Sequence, residues 1–290
     1  MPEPDRCRIA IAEEAAVDGR VSVLGLSVAP GALPAYVITF STLVSALILP
    51  VLGAVADRTS RKKDLLAGFA WTGAFFAGLL FFMTGDNWQF GAITFILANL
   101  CFAASAVVND SILPIISSEA DRDRVSSRGW AYGYAGGGLL LALNFVLVSF
   151  HDTFGLTEGM AVRISLLSAA VWWAAFTFIP FRGLQNHPPA DVEHVEGGVL
   201  QRSFGQLWIT LKELRNYPVA LTFLLAYLFF NDGIQTVISQ SSVYIVEELR
   251  FDSEVLIMLI LIVQFVGFAG ALIFGKAAER KGAKPTILVG

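Results

Sequence analysis

The sequence predicts an all-α, polytopic membrane protein, and three observations support that prediction. Only 15% of the residues are charged, 55% are hydrophobic and the mean hydropathy is +0.65, whereas roughly a quarter of a soluble domain is charged. Uncharged runs recur that can cross a bilayer, since about 20 helical residues cover the hydrocarbon core. Finally, the basic residues are concentrated in alternate loops between those runs, which is typical of proteins that keep Lys and Arg on the cytoplasmic side.

The elements follow from these runs in chain order. Residues 1–32 carry scattered charges and no long apolar run, so we expect an extracytoplasmic segment that is neither a signal peptide nor a span. Each later run is expected to be helical, because backbone groups that meet lipid must bond within their own segment. Seven full spans and the start of an eighth are predicted at 33–56, 65–85, 87–109, 129–150, 164–181, 216–246, 255–275 and 285–290.

The basic loops also predict the topology and the domains. The loops after the first, third, fifth and seventh spans are basic, which places them in the cytoplasm and the N-terminal segment outside. Because nothing in that segment would carry its arginines across, we expect a further helix upstream, so the visible spans are two to eight and the chain is truncated at both ends. The predicted domains are a first transmembrane bundle at 33–181, a cytoplasmic linker at 182–216 with an amphipathic helix at 200–215, and the start of a second bundle at 217–290.

A short motif after the first visible span recurs after the seventh. Residues 53–62 read GAVADRTSRK, and residues 275–284 read GKAAERKGAK. The two copies lie six spans apart, which fits a six-plus-six repeat. An acid at a helix end can pair with a cation or with another helix's N-terminus and hold two bundles together, whereas the basic residues alone would only set orientation. The predicted gate residues are Gly53, Asp57, Arg58, Arg61, Lys62, Gly275, Glu279 and Arg280.

Small residues and intramembrane polar residues supply the remaining candidates. Glycines spaced by four, at 129, 133 and 137, predict a smooth face for helix packing, as do Gly267, Ala271 and Gly275. Asp232 interrupts a long apolar run, where we expect a local break in the helix to line a cavity. For Asp110, a solvated or gate-pairing acid is as good an interpretation as a solute ligand. For the deeper amides, a hydrogen bond between helices is the commoner role. The candidates for the solute or proton pathway are Asp232, Asn231, Gln235, Asn109, Asp110, Asn99, Asn144 and Gln264.

Three stretches resemble a known family. Residues 53–62 are similar to the loop between spans two and three of the major facilitator superfamily. Residues 50–57 (PVLGAVAD), 129–137 (GWAYGYAGG) and 230–236 (FNDGIQT) resemble its vacuole-effluxer-like branch, the autophagy-related amino-acid effluxers. The resemblance implies a major-facilitator-type helical bundle, here incomplete, that transports amino acids or similar metabolites, in the direction of export.

The function predicted from these observations is secondary active transport of a small polar solute by alternating access. No set of nucleophile, base and orienting acid can be assembled, so we expect neither an enzyme nor a cofactor, and the two cysteines and three histidines indicate no metal site. The expected partners are the solute and the lipid bilayer, without nucleic acid, and the full-length protein is expected to be monomeric. A bacterial plasma membrane is favoured over a vacuolar membrane. The alternatives are a scaffold or receptor that does not transport, and an inactive fragment.

Overall fold

The computed structural model describes residues 21–23, 26–29, 32–84, 87–186, 208–209, 212–251 and 253–289 of the 290-residue chain. Two short antiparallel strands, β1 (Val21–Val23) and β2 (Leu26–Val28), come first. The helices that follow are α1 (Leu33–Arg58), α2 (Lys62–Leu79), α3 (Trp88–Ile116), α4 (Arg122–Ser149), α5 (Glu158–Gly183), α6 (Pro218–Glu247), α7 (Ser253–Lys281) and α8 (Ala283–Val289). A 3₁₀ turn at Leu80–Phe82 continues α2.

The helices α1 to α7 are long and apolar enough to cross a bilayer, which confirms the prediction of an all-α polytopic membrane protein. Their ends extend beyond the uncharged runs. For example, α2 begins at Lys62 and α4 at Arg122, several residues before the predicted spans. Long basic side chains at a helix end can reach the interface while their backbone stays helical, so the limits of an uncharged run do not mark the helix ends.

Local sequence explains several helix ends. Proline occupies the first turn of α1 and of α6, where its missing N–H leaves no hydrogen bond unmade. The Thr157 side chain caps α5 by accepting a hydrogen bond from the Met160 N–H at 3.3 Å. Between α7 and α8, Gly282 adopts φ +88°, a left-handed conformation that favours glycine.

Helices α1, α2, α3 and α5 form one packed group. Helix α2 lies against both α3 and α5, and α1 lies against α3. Contact between α2 and its neighbours is close at Gly73, where an added Cβ would overlap the Trp173 ring and come within 3.0 Å of the Cys101 Cβ. A buried cluster lies at the end of this group where α1 leads into α2, formed by Ala56, Leu66, Val108 and Ile112, with Leu65, Phe69 and Leu184 packed against it.

Helices α4 and α7 form an extensive antiparallel contact, which we call the α4–α7 seam. The two helices run in opposite directions. Ser127 faces Gly275, Tyr134 faces Gly267, and Gly137 and Gly138 face Gln264. A Cβ added at Gly267 would meet the Tyr134 ring at 2.9 Å, and one at Gly137 would meet the Gln264 Nε2 at 3.0 Å. The small residues of α7 therefore permit the close approach, as predicted.

The predicted glycine face of α4 is only partly correct. Gly137 lies in the seam, but a Cβ added at Gly129 or Gly133 would have no neighbour within 4 Å. Residues spaced by four drift around a helix of 3.6 residues per turn. The residues of α4 that meet α7 are instead Ser127, Tyr134, Gly137 and Gly138, and Ala131 and Gly138 are buried.

The interval between α5 and α6 coincides with the predicted linker. Within the helix predicted at 200–215, residues 208–209 and 212–214 are helical, and 200–207 and 210–211 lie outside the described residues. The division into two bundles therefore stays a prediction.

Candidate functional site

The turn between α1 and α2 contains the first copy of the predicted gate motif, and we call residues 57–64 the gate turn. Its central cation is Lys62, whose side chain is only 14% exposed. The Lys62 Nζ lies 3.8 Å from the Asp57 Oδ1 and donates a hydrogen bond to the Ser111 carbonyl on α3 at 3.4 Å. Lys62 thus connects the end of α1 to α3.

Asp57, the acid of the first copy of the motif, is exposed. Its side chain is 66% exposed. Asp57 lies in the last turn of α1, where the helix dipole disfavours a negative charge and the nearby Lys62 ammonium offsets that effect. Gly53 is also less constrained than expected, since an added Cβ would make ordinary contact with the Val107 Cγ1 at 3.6 Å. The Arg58 side chain lies outside the described part of the structure.

A polar cluster joins the gate turn to the residues that follow α5. The Arg61 Nε donates to the Asp64 Oδ2 at 2.8 Å, and the Asn186 Nδ2 donates to the same oxygen at 3.2 Å. The Asn186 Oδ1 accepts from the Lys63 backbone N–H at 3.3 Å, and the Lys63 Nζ lies 5.1 Å from the centre of the Phe181 ring. Sequence reasoning missed Asp64 and Asn186, because no local pattern connects positions so distant along the chain.

In the second copy of the motif, Gly275 is a packing residue between two helices. Gly275 is buried in the α4–α7 seam, directly against Ser127, and a side chain there would overlap Ser127. Glu279 and Arg280 lie one turn later on α7 and are exposed. A close contact therefore requires glycine at 275 but not at 53. The gate role of both copies stays a prediction.

Two of the deeper polar candidates form hydrogen bonds between helices. The Asn99 Nδ2 donates to the Ser41 Oγ at 2.8 Å, which links α3 to α1, and the Ser41 side chain is almost wholly buried. The Ser168 Oγ donates to the Asn144 Oδ1 at 3.0 Å, which links α5 to α4. These contacts fit a packing role. Gln264 packs against the glycines of the seam, as described above.

The local helix break expected at Asp232 is wrong. Helix α6 continues without interruption from Pro218 to Glu247. A glycine inside a helix costs only about 1 kcal/mol, whereas each unsatisfied backbone group in lipid costs several, so α6 stays helical through Gly233. Asp232 and Gln235 are exposed and Asn231 is half-buried.

Asp110 and its neighbour Asn109 are also exposed, on α3 directly after the buried Val108. A carboxylate at membrane depth costs about 3 kcal/mol or more unless it is paired or hydrated. The exposed faces around Asp110 and Asp232 are therefore expected to meet water or a polar partner rather than lipid. A shallow pocket of about 550 Å³ beside the start of α6 contains none of the polar candidates, since its lining is Asn216, Tyr217, Pro218, Val219, Ala220 and Phe223.

Comparison with known proteins identifies the family. The family described as "Vacuole effluxer Atg22 like" matches residues 4–289. The chain belongs to this family. This Atg22-like chain is 29% identical over 257 residues to the uncharacterized MFS-type transporter YxiO of Bacillus subtilis, a match that covers 88% of the chain and 59% of YxiO. The resemblance to the effluxer branch of the major facilitator superfamily is confirmed.

Fungal relatives match the Atg22-like chain over a similar extent. It is 24% identical over 332 residues to autophagy-related protein 22 of Pyricularia oryzae, with 91% of the chain and 48% of that protein covered. It is 24% identical over 334 residues to autophagy-related protein 22-1 of Aspergillus terreus, with 90% and 55% covered. The chain thus spans about half of the length of these curated relatives. No solved structure matches it. An integral multi-pass membrane protein of a transport family is the description that all of these findings share.

Proposed function

We propose that the Atg22-like chain forms part of a secondary active transporter that exports a small polar, amino-acid-like solute by alternating access. The observation that carries this proposal is the match of an effluxer family over residues 4–289. Transport rather than catalysis is the proposed activity. A bacterial plasma membrane is the proposed location, since the identity to the Bacillus protein YxiO is higher than that to the fungal proteins.

The α4–α7 seam supports alternating access. Helix α4 follows the first copy of the gate motif, and α7 carries the start of the second copy. Helix α4 belongs to the predicted first bundle and α7 to the predicted second bundle, so their close antiparallel contact gives a surface on which the two bundles can rock against each other. Small residues let the backbones approach without long interlocking side chains, so we propose that relative motion occurs along this seam.

Asp232 supports the proposed polarity of the solute. It lies inside α6, within the spanning stretch Pro218–Ser242, and it is exposed. An ionisable residue at that depth requires water or a polar partner. We propose that Asp232 faces the solute pathway, where its carboxylate binds the solute's ammonium group or carries a proton.

The experiment measures flux in liposomes that contain the purified protein, expressed from its complete gene. Saturable flux of a labelled amino acid is expected for wild type, and Asp232→Asn is expected to lower it at least about tenfold, because one charged contact contributes about 1.5–3 kcal/mol. Asp152→Asn is the matched control, since Asp152 is a solvent-exposed carboxylate in the turn between α4 and α5, with a side chain 93% exposed. Folded wild-type protein that moves none of the amino acids tested would refute the proposal and favour a scaffold.

A further inference from the structure

Asn186 stands at the start of the linker, yet its side chain binds the beginning of α2. Its Oδ1 accepts from the Lys63 N–H at 3.3 Å, and its Nδ2 donates to the Asp64 Oδ2 at 3.2 Å. A carboxylate accepts only and a backbone N–H donates only. Only one orientation of the amide therefore makes both bonds, and the contact needs a side chain that carries both an acceptor and a donor.

The first turn of α2 lacks a cap from its own sequence. The residue before α2 is Arg61, and it provides no side-chain cap. The first four N–H groups of any helix need partners from outside that helix. Asn186 supplies one of them from across the fold, and it thereby performs the task that Ser, Thr, Asp or Asn usually performs from the position just before a helix.

The first turn of α2 contacts several other elements of the fold. Lys62 contacts Asp57 on α1 and the Ser111 carbonyl on α3, and Lys63 lies over the Phe181 ring of α5. Leu184, two residues before Asn186, packs against the buried cluster at the end of α1. The chain that leaves α5 is therefore anchored against the gate turn before it continues as the linker.

We propose that Asn186 is a positioning residue that holds the gate turn in place against the end of α5. The link to gating rests on the proposed transport function, whereas the anchoring contact does not. Without the Asn186 contacts, the Lys63 N–H loses its side-chain partner and Asp64 keeps the hydrogen bond from Arg61. The first turn of α2, with the Lys62 contacts to α1 and α3, is then free to move.

Hydrogen exchange of the peptide covering residues 61–66, in the reconstituted full-length protein, tests the anchor. Asn186→Ala is expected to accelerate exchange there about 3–10-fold, the effect of losing one hydrogen bond. Asn186→Asp places a second carboxylate against Asp64 and is expected to accelerate exchange as well. Combining Asn186→Asp with Asp64→Asn restores a donor and an acceptor between the two side chains but turns the atom that accepts from Arg61 into a donor, so exchange should be slower than in Asn186→Asp alone without returning fully to the wild-type rate. Asn216→Ala, at the other end of the linker, is the control.

Unchanged exchange in Asn186→Ala, or a double variant that exchanges no more slowly than Asn186→Asp, would overturn the anchor. Transport kinetics supply the second measurement. Because the proposed role of Asn186 is to position the gate turn rather than to bind the solute, Asn186→Ala is expected to lower the maximal rate severalfold and leave KM within about twofold, and an unchanged maximal rate would overturn the positioning role. If wild type shows no flux at all, the proposed transport function fails, and with it the link to gating, while the exchange pattern still decides the anchor.

Discussion

Replacing Gly275 by alanine is expected to weaken the α4–α7 seam. The added Cβ would overlap the Ser127 side chain and lie 3.9 Å from the Ser127 Cα. The overlap includes the Ser127 Cβ, whose position the backbone fixes, so no change of rotamer relieves it. Relief requires α4 and α7 to move apart, and overpacking of this kind costs about 1–3 kcal/mol.

Gly133 provides a matched control for this substitution. It also lies inside a spanning helix, but a Cβ added there would have no neighbour within 4 Å. Alanine gains roughly 1 kcal/mol of helix propensity over glycine at either position, so the difference between the two variants isolates the packing contribution. Gly275→Ala should therefore be less stable than Gly133→Ala by about 1–3 kcal/mol, or roughly 2–12 °C in Tm.

Thermal unfolding in lipid nanodiscs, followed by tryptophan fluorescence, measures this difference. A second substitution, Ser127→Gly, removes the obstructing side chain. In its presence the effect of Gly275→Ala should shrink by more than half, because residues in direct contact do not contribute additively. If Gly275→Ala proved as stable as Gly133→Ala, or if Ser127→Gly gave no relief, the proposed close contact of α4 and α7 would be refuted.

Three further predictions concern contacts between helices, each measured by Tm in the same nanodiscs. Asn99→Ala breaks the bond to Ser41 and should cost about 0.5–1.5 kcal/mol while leaving the KM for transport unchanged; a raised KM would show that Asn99 meets the solute instead. Trp71→Phe removes an indole donor that bonds the Ala174 carbonyl at 3.1 Å and should cost about 1 kcal/mol, an expectation contradicted by an unchanged Tm. Lys62→Met removes a cation with 14% exposure and should lower both stability and flux, whereas a loss confined to stability would argue against gating.

Hydropathy and charge predicted the number, order and helical state of the spans, because both are properties of consecutive residues. The ends of the helices were harder to predict from the sequence. The first turns of α2 and α4 are built from charged residues that a search for uncharged runs excludes, although such side chains can extend to the interface. The predicted interruption of α6 at Asp232 and Gly233 was wrong, because local polarity does not outweigh the free-energy cost of unsatisfied backbone groups in lipid.

Contacts within the candidate site depended on information that sequence patterns do not contain. Spacing by four predicted a small-residue face on α4, but α7 packs against a different face of α4, which contains Ser127 and Gly138. Asn186 and Asp64 are joined only by the packing of α2 against α5. The deep amides illustrate the same limit, since a polar residue in a span is equally consistent with solute binding and with the interhelical bond that Asn99 makes.

Counterflow in liposomes tests alternating access most directly. Vesicles that contain the protein, expressed from its complete gene, are loaded with an unlabelled amino acid and diluted into a trace of the same labelled compound. A carrier with one site that faces each side in turn is expected to accumulate the label transiently, above the level in empty vesicles. Folded protein that gives the same time course as empty vesicles for all amino acids tested would contradict transport by alternating access.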